Sequence, residues 1–188
     1  MHLTFQIYCQ NIVDFVNHWS SKYYDPRQEK YDDHIGKPLT EVSRQSLFEW
    51  KNGGSISKAK MSSIEKNYPL RFEGDEKAKE DRYLKKNRKG GPIWNIFYLH
   101  CLDPNTWPIF DQHTFRAMKY IKKGKIEEIR TTKKQKYQSY REYREFIDEV
   151  KSEIHKKQTC ENTLEELHNL DKAFYAFGKF LKTAGKYL

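Results

Sequence analysis

Apolar side chains recur along this chain at three- and four-residue steps, the spacing that gathers them on one stripe of an α-helix. Phe5, Tyr8, Ile12, Phe15, Val16 and Trp19 predict a first helix over about residues 3–20. Residues 23–38 mix Asp, Pro, Gly and charge without a period and predict a loop that lies across a surface or a ligand. Thr40 is placed to cap a short helix carrying Val42, Leu47 and Trp50, and Gly53-Gly54 supplies the left-handed conformation that ends it. Ser57 caps the next, over about residues 58–67, with Ile56 and Met61 at staple positions. Asp75 opens a charged segment over residues 76–87, anchored by Tyr83 and Leu84.

Two further helices follow, an apolar run opened by Gly90-Gly91 and ended by a Pro-marked turn, and one opened by Asp111 and closed by Gly124, and a basic connector spans residues 122–136. Tyr140, Tyr143, Ile147, Val150 and Ile154 keep helical spacing, as do Leu167, Leu170, Phe174, Phe177 and Leu181 after a cap-like Asn162, so residues 136–184 predict a pair of long C-terminal helices. No alternating strand pattern exceeds a few residues. The expected fold class is all-α, one compact multi-helix domain over residues 1–188.

A chain of 188 residues with 37% apolar and 15% aromatic residues can bury a core of its own, which excludes a disordered tail. Lys and Arg number 35 against 26 Asp and Glu, and the net charge of +9 makes a polyanion such as DNA the first partner to consider. Cys9, Cys101 and Cys160 form no CxxC pair, so neither a disulfide framework nor a zinc or iron–sulfur site is suggested, and no cofactor is expected. The start of the chain lacks a basic region followed by an unbroken apolar core, and no stretch approaches the ~18 apolar residues needed to cross a bilayer. A cytoplasmic protein without membrane contact is the expectation.

The chemistry concentrates in residues 85–120. Lys85, Lys86, Arg88 and Lys89 lead into Gly90-Gly91, and glycines ahead of a helix let unpaired N–H groups approach an anion, which the helix dipole also attracts. A DNA phosphate suits that place. Asp111 then stands in Ile109-Phe110-Asp111-Gln112-His113-Thr114-Phe115-Arg116. Together these pieces resemble the core motif of the helix-hairpin-helix DNA glycosylase superfamily, in which a glycine-rich hairpin grips a phosphate and an apolar pair, a catalytic aspartate, His or Asn, and Arg follow. Gly90 matches a hairpin glycine, with Arg88 where another usually stands.

The resemblance implies monofunctional hydrolysis of an N-glycosidic bond in DNA, since the sugar-attacking lysine of bifunctional members would fall near Pro92 or Ile93. It also implies roles: Asp111 stabilises the sugar cation; Arg88, Lys89, Gly90, Gly91, His113 and Arg116 bind DNA, with Arg116 alternatively bracing Asp111 and His113 orienting or capping; Trp94, Tyr98 and Trp107 line the pocket for the extruded base. Metal chemistry at His100, Cys101, Asp111 and His113 is opposed by their spacing. A nuclease centre at Asp148-Glu149-Val150-Lys151 is opposed by its helical setting. The alternative to the enzyme is a helical nucleic-acid-binding or protein-interaction module without catalysis. Whether Asp111 opens onto a cleft discriminates the two.

Overall fold

The computed structural model describes residues 9–85, 90–157 and 164–186, which are all-helical; no strand occurs among them. The first helix, α1, spans Ile12–Ser20. Its start differs from the expected residue 3, because Cys9, Gln10 and Asn11 are not helical and the Asn11 side chain accepts the Val13 and Asp14 N–H groups at 2.9 and 3.1 Å. A capping asparagine outweighed an apolar stripe that runs through it. The loop over residues 23–38 contains one helical turn, α2, at Glu29–Asp32, and Tyr31 within it is buried.

The capping residues read from the chain fix the next elements. Thr40 and Ser43 form a reciprocal capping box at the start of α3, Glu41–Asn52, and Gly53 closes it at φ +81°. Ser57 caps α4, Lys58–Asn67, and Asp75 caps α5, Glu76–Tyr83. The expected extension of α5 to residue 87 fails at Leu84, which is buried and non-helical; residues 86–89 lie outside the described residues.

At the centre runs α6, Pro92–Leu102, with Pro92 in its first turn, where a missing N–H costs nothing. Buried residues occupy every side of it, including Asn95, Phe97, Tyr98, Leu99 and His100, as a helix enclosed by others requires. The Asn95 amide donates to the Tyr83 carbonyl at 2.9 Å and the Tyr137 hydroxyl at 3.0 Å, and its oxygen accepts from the Tyr68 hydroxyl at 2.8 Å.

Asp111 caps α7, Gln112–Lys123, closed by Gly124 at φ +64°. Of the expected basic connector, Lys122 and Lys123 form the end of α7 and residues 124–132 are non-helical, and α8 then runs Lys133–Lys157. The last helix, α9, spans Leu164–Ala184; the cap expected at Asn162 lies outside the described residues. The most extensive helix contacts join α9 to α7 and to α1. On the α1 side Phe15 meets Phe174 and Phe177 with ring centroids 5.6 and 5.2 Å apart, and Trp19 meets Phe177 at 4.9 Å. On the α7 side the backbones touch: a Cβ at Gly178 would lie 1.9 Å from the His113 carbonyl oxygen, so only glycine permits the crossing. No helix among the described residues is long and apolar enough to cross a membrane.

Candidate active site

That crossing sets the first turn of α7 beside α9, and the space left between them, α2 and the end of α3 is a cavity of about 270 Å³. Tyr23, Tyr31, Trp50 and Tyr175 give it aromatic walls. Tyr31 anchors one wall: its ring lies 4.5 Å from Trp50, and its hydroxyl is 2.7 Å from His100 Nε2. The other imidazole nitrogen of His100 is 2.8 Å from the Trp107 carbonyl, which can only accept, so Nδ1 carries the proton and Nε2 accepts from Tyr31. Burial drives the His100 pKa down to about 3, which keeps the ring neutral in this role.

Asp111 faces this cavity. One of its oxygens, Oδ1, accepts the His113 and Thr114 N–H groups at 2.8 and 3.1 Å, and the Thr114 hydroxyl receives the Asp111 N–H at 3.0 Å. The cap therefore fixes the carboxylate while leaving Oδ2 free, 3.6 Å from the Lys51 ammonium. Lys51 is itself largely buried, with its Nζ 3.5 Å from the Phe110 carbonyl and about 6 Å from the Trp50 and Phe97 rings. A fixed carboxylate beside an aromatic-walled space can stabilise positive charge developing on a ligand held there.

Two further carboxyl groups line the same cavity: Asp25, whose oxygens accept from the Arg27 backbone N–H and guanidinium, and Asp171. Asp171, on α9, is driven up to a pKa of about 8 by burial, with the Asp111 charge adding to the rise and Lys151 and Lys51 opposing it. No described residue donates a hydrogen bond to it. Three further polar atoms of cavity-lining residues are buried without a partner among the described residues: Trp50 Nε1, Gln112 Nε2 and His168 Nε2. Burial also lowers the pKa of His168 and of His113, so both imidazoles favour the neutral form.

No family model, curated protein or solved structure matches the chain.

Of the residues singled out in the sequence, Asp111 and His113 line the cavity. Arg116 does not reach it: only 1% exposed, its guanidinium donates to the Gly178 carbonyl at 2.8 Å, pairs with Glu128 and lies 3.2 Å from His113 Nδ1. It ties α7 to α9 instead of bracing Asp111, and sealed inside that contact it presents no face to a phosphate. Gly90 and Gly91 are also away from the cavity. A Cβ on Gly90, at φ +88°, would strike the Asn95 side chain and the Tyr68 hydroxyl, so this glycine permits close packing onto the Asn95 cluster. Gly91 caps α6 without a side-chain hydrogen bond. Arg88 and Lys89 lie outside the described residues.

The expected base-pocket aromatics are placed elsewhere. Tyr98 and Trp107 are fully buried in the core, Tyr98 donating to the Pro69 carbonyl at 2.7 Å and Trp107 lying under the Arg144 guanidinium at 4.1 Å. Trp94 stacks on Phe48 at 5.3 Å with the Lys60 ammonium over its face. Their α6 and post-α6 positions face other helices, and the cavity takes its rings from α2, α3 and α9. The one sequence signal for this was the aperiodic 23–38 segment, expected to lie across a surface or a ligand, which supplies Tyr23 and Tyr31. Lys51, Trp50, Asp171 and Tyr175 carried no local signal, because each also fits the face of an ordinary helix. Among the described residues no group of three His, Cys, Asp or Glu side chains could hold a metal ion.

Proposed function

We propose that the protein is a monofunctional DNA glycosylase, which takes a base extruded from the duplex into the aromatic cavity and hydrolyses its N-glycosidic bond. The observation that carries this reading is that Asp111 opens onto a cavity walled by Tyr23, Tyr31, Trp50 and Tyr175 rather than being sealed under side chains. An extruded base is held by stacking on such rings. As the bond to the base breaks, positive character develops on the sugar, and a carboxylate already fixed by two backbone N–H groups meets it without reorganising. The net charge of +9 favours a polyanionic substrate.

Abasic-site formation on a panel of duplexes carrying modified or mismatched bases tests the proposal, with wild type set against Asp111→Asn. Asparagine caps a helix as well as aspartate does, so the substitution removes the charge and keeps α7. Wild type is expected to release base from at least one duplex, and D111N to do so at least about 100-fold more slowly. Absence of product from every duplex overturns the enzyme and leaves the non-catalytic nucleic-acid-binding module. That module still requires duplex affinity to fall steeply with salt.

A further inference from the structure

Three carboxyl groups line the cavity; Asp25 is taken up by the Arg27 backbone N–H and guanidinium, which donate to it at 2.9 and 3.1 Å, and the other two, Asp111 and Asp171, have different surroundings. Asp111 receives two backbone N–H bonds and lies 3.6 Å from the Lys51 ammonium. Asp171 receives no hydrogen bond from the described residues and looks into the cavity from α9. Two carboxyl groups with unequal environments around one glycosidic bond divide acid work from charge stabilisation.

Resting on the glycosylase reading above, we propose that Asp171 is a second catalytic residue, the general acid that delivers a proton to the departing base while Asp111 faces the sugar. As the bond from C1′ to the base nitrogen breaks, its electron pair stays with the base, and the Asp171 proton moves to the base. The sugar is left as an oxocarbenium ion opposite the Asp111 carboxylate. Water then bonds to C1′ and releases one proton to solvent, and Asp171 takes up a proton from solvent to restore the starting state. One water is consumed for each base released.

The groups facing Asp171 come from every side of its pocket. Lys51 from α3 and Lys151 from α8 favour its anion and Asp111 opposes it; Tyr31 from α2 and Tyr140 and Tyr143 from α8 also interact with it electrostatically, the Tyr31 and Tyr140 hydroxyls donating to His100 and to the Pro108 carbonyl. His168 and Lys172 flank it on α9 and also line the cavity. Other proton sources are poor. His113 and His168 are lowered toward neutrality by burial, while Tyr23, Tyr31 and Tyr175 are raised by burial and hold their protons too tightly. With burial placing the Asp171 pKa near 8, its acid form is present at neutral pH and lost above it.

The test is the pH dependence of single-turnover base release, at saturating enzyme, on whichever duplex of the panel wild type cleaves. Wild type should hold its rate up to about pH 8 and lose it above, and D171N should be about 100-fold slower at pH 7 with that alkaline fall abolished. Asp171→Glu, which restores an acid, should recover part of the rate together with an alkaline fall. Urea unfolding of each variant confirms that it is folded. If D171N releases base as wild type does, or more slowly but with the same alkaline fall, Asp171 is not the acid and the glycosylase itself stands. If wild type releases no base from any duplex, both fall together.

Discussion

Two polar clusters in this molecule make opposite use of their hydrogen-bonding groups. Around Asn95, at the start of α6, amide, hydroxyl and carbonyl groups from four segments satisfy one another, with Tyr68, Tyr83 and Tyr137 closing on a side chain that is fully buried. Around Asp111, at the start of α7, an indole N–H, a glutamine amide and an imidazole nitrogen lie buried without partners beside a carboxyl group that receives no hydrogen bond from the described residues. Both sit at the mouth of a helix, and the sequence pairs Gly90, which packs on the Asn95 side chain, with Asp111 as halves of one functional unit. The difference teaches which half serves folding. Saturated polar groups specify a unique packing, whereas unsaturated ones beside an open space leave hydrogen-bonding capacity unused there.

The comparison can be broken at the crossing that creates the cavity. Gly178→Ala places a methyl group against the His113 carbonyl and should cost more than about 3 kcal/mol in urea unfolding, because backbone and not a flexible side chain must move. A wild-type stability for that variant would mean that α7 and α9 do not cross so closely. Next in size, Asn95→Ala strips three partners inside the core and should cost about 2 kcal/mol by the same measurement. Its residual folded population should keep the wild-type rate of base release, since the Asn95 cluster does not line the cavity. The smallest effect belongs to the open side: His168→Phe keeps a ring against Tyr31 and removes a nitrogen that has no partner, so stability should change by less than about 0.5 kcal/mol. A large loss there would show that the nitrogen is bonded after all.

Much of the fold was legible in the chain because its signals are local. Thr40, Ser57, Asp75 and Asp111 each satisfy N–H groups within one turn of themselves, and Gly53 and Gly124 each adopt a left-handed conformation within one residue of a helix end. Those signals act through neighbours in sequence, so residue type and spacing suffice. Where two local signals competed, at Asn11, the apolar stripe alone was misleading. The turn at Glu29–Asp32 escaped because its four residues carry no period, and its Tyr31 is recognisable only by what it touches.

The candidate site divides along the same line. Asp111 was found because a capping aspartate announces itself, while the aromatics expected to serve it were taken from the nearest stretch of chain. The structure gives Tyr98 and Trp107 to the core and assembles the walls from α2, α3 and α9. Sequence by itself determined most of the helices, the ends that carry a capping residue and one carboxylate, since backbone hydrogen bonding within a turn needs no distant partner. Only the tertiary structure decided that Lys51, Trp50 and Asp171 share a space with that carboxylate, because their meeting depends on how closely α7 passes α9, a distance set by the absence of one side chain at Gly178.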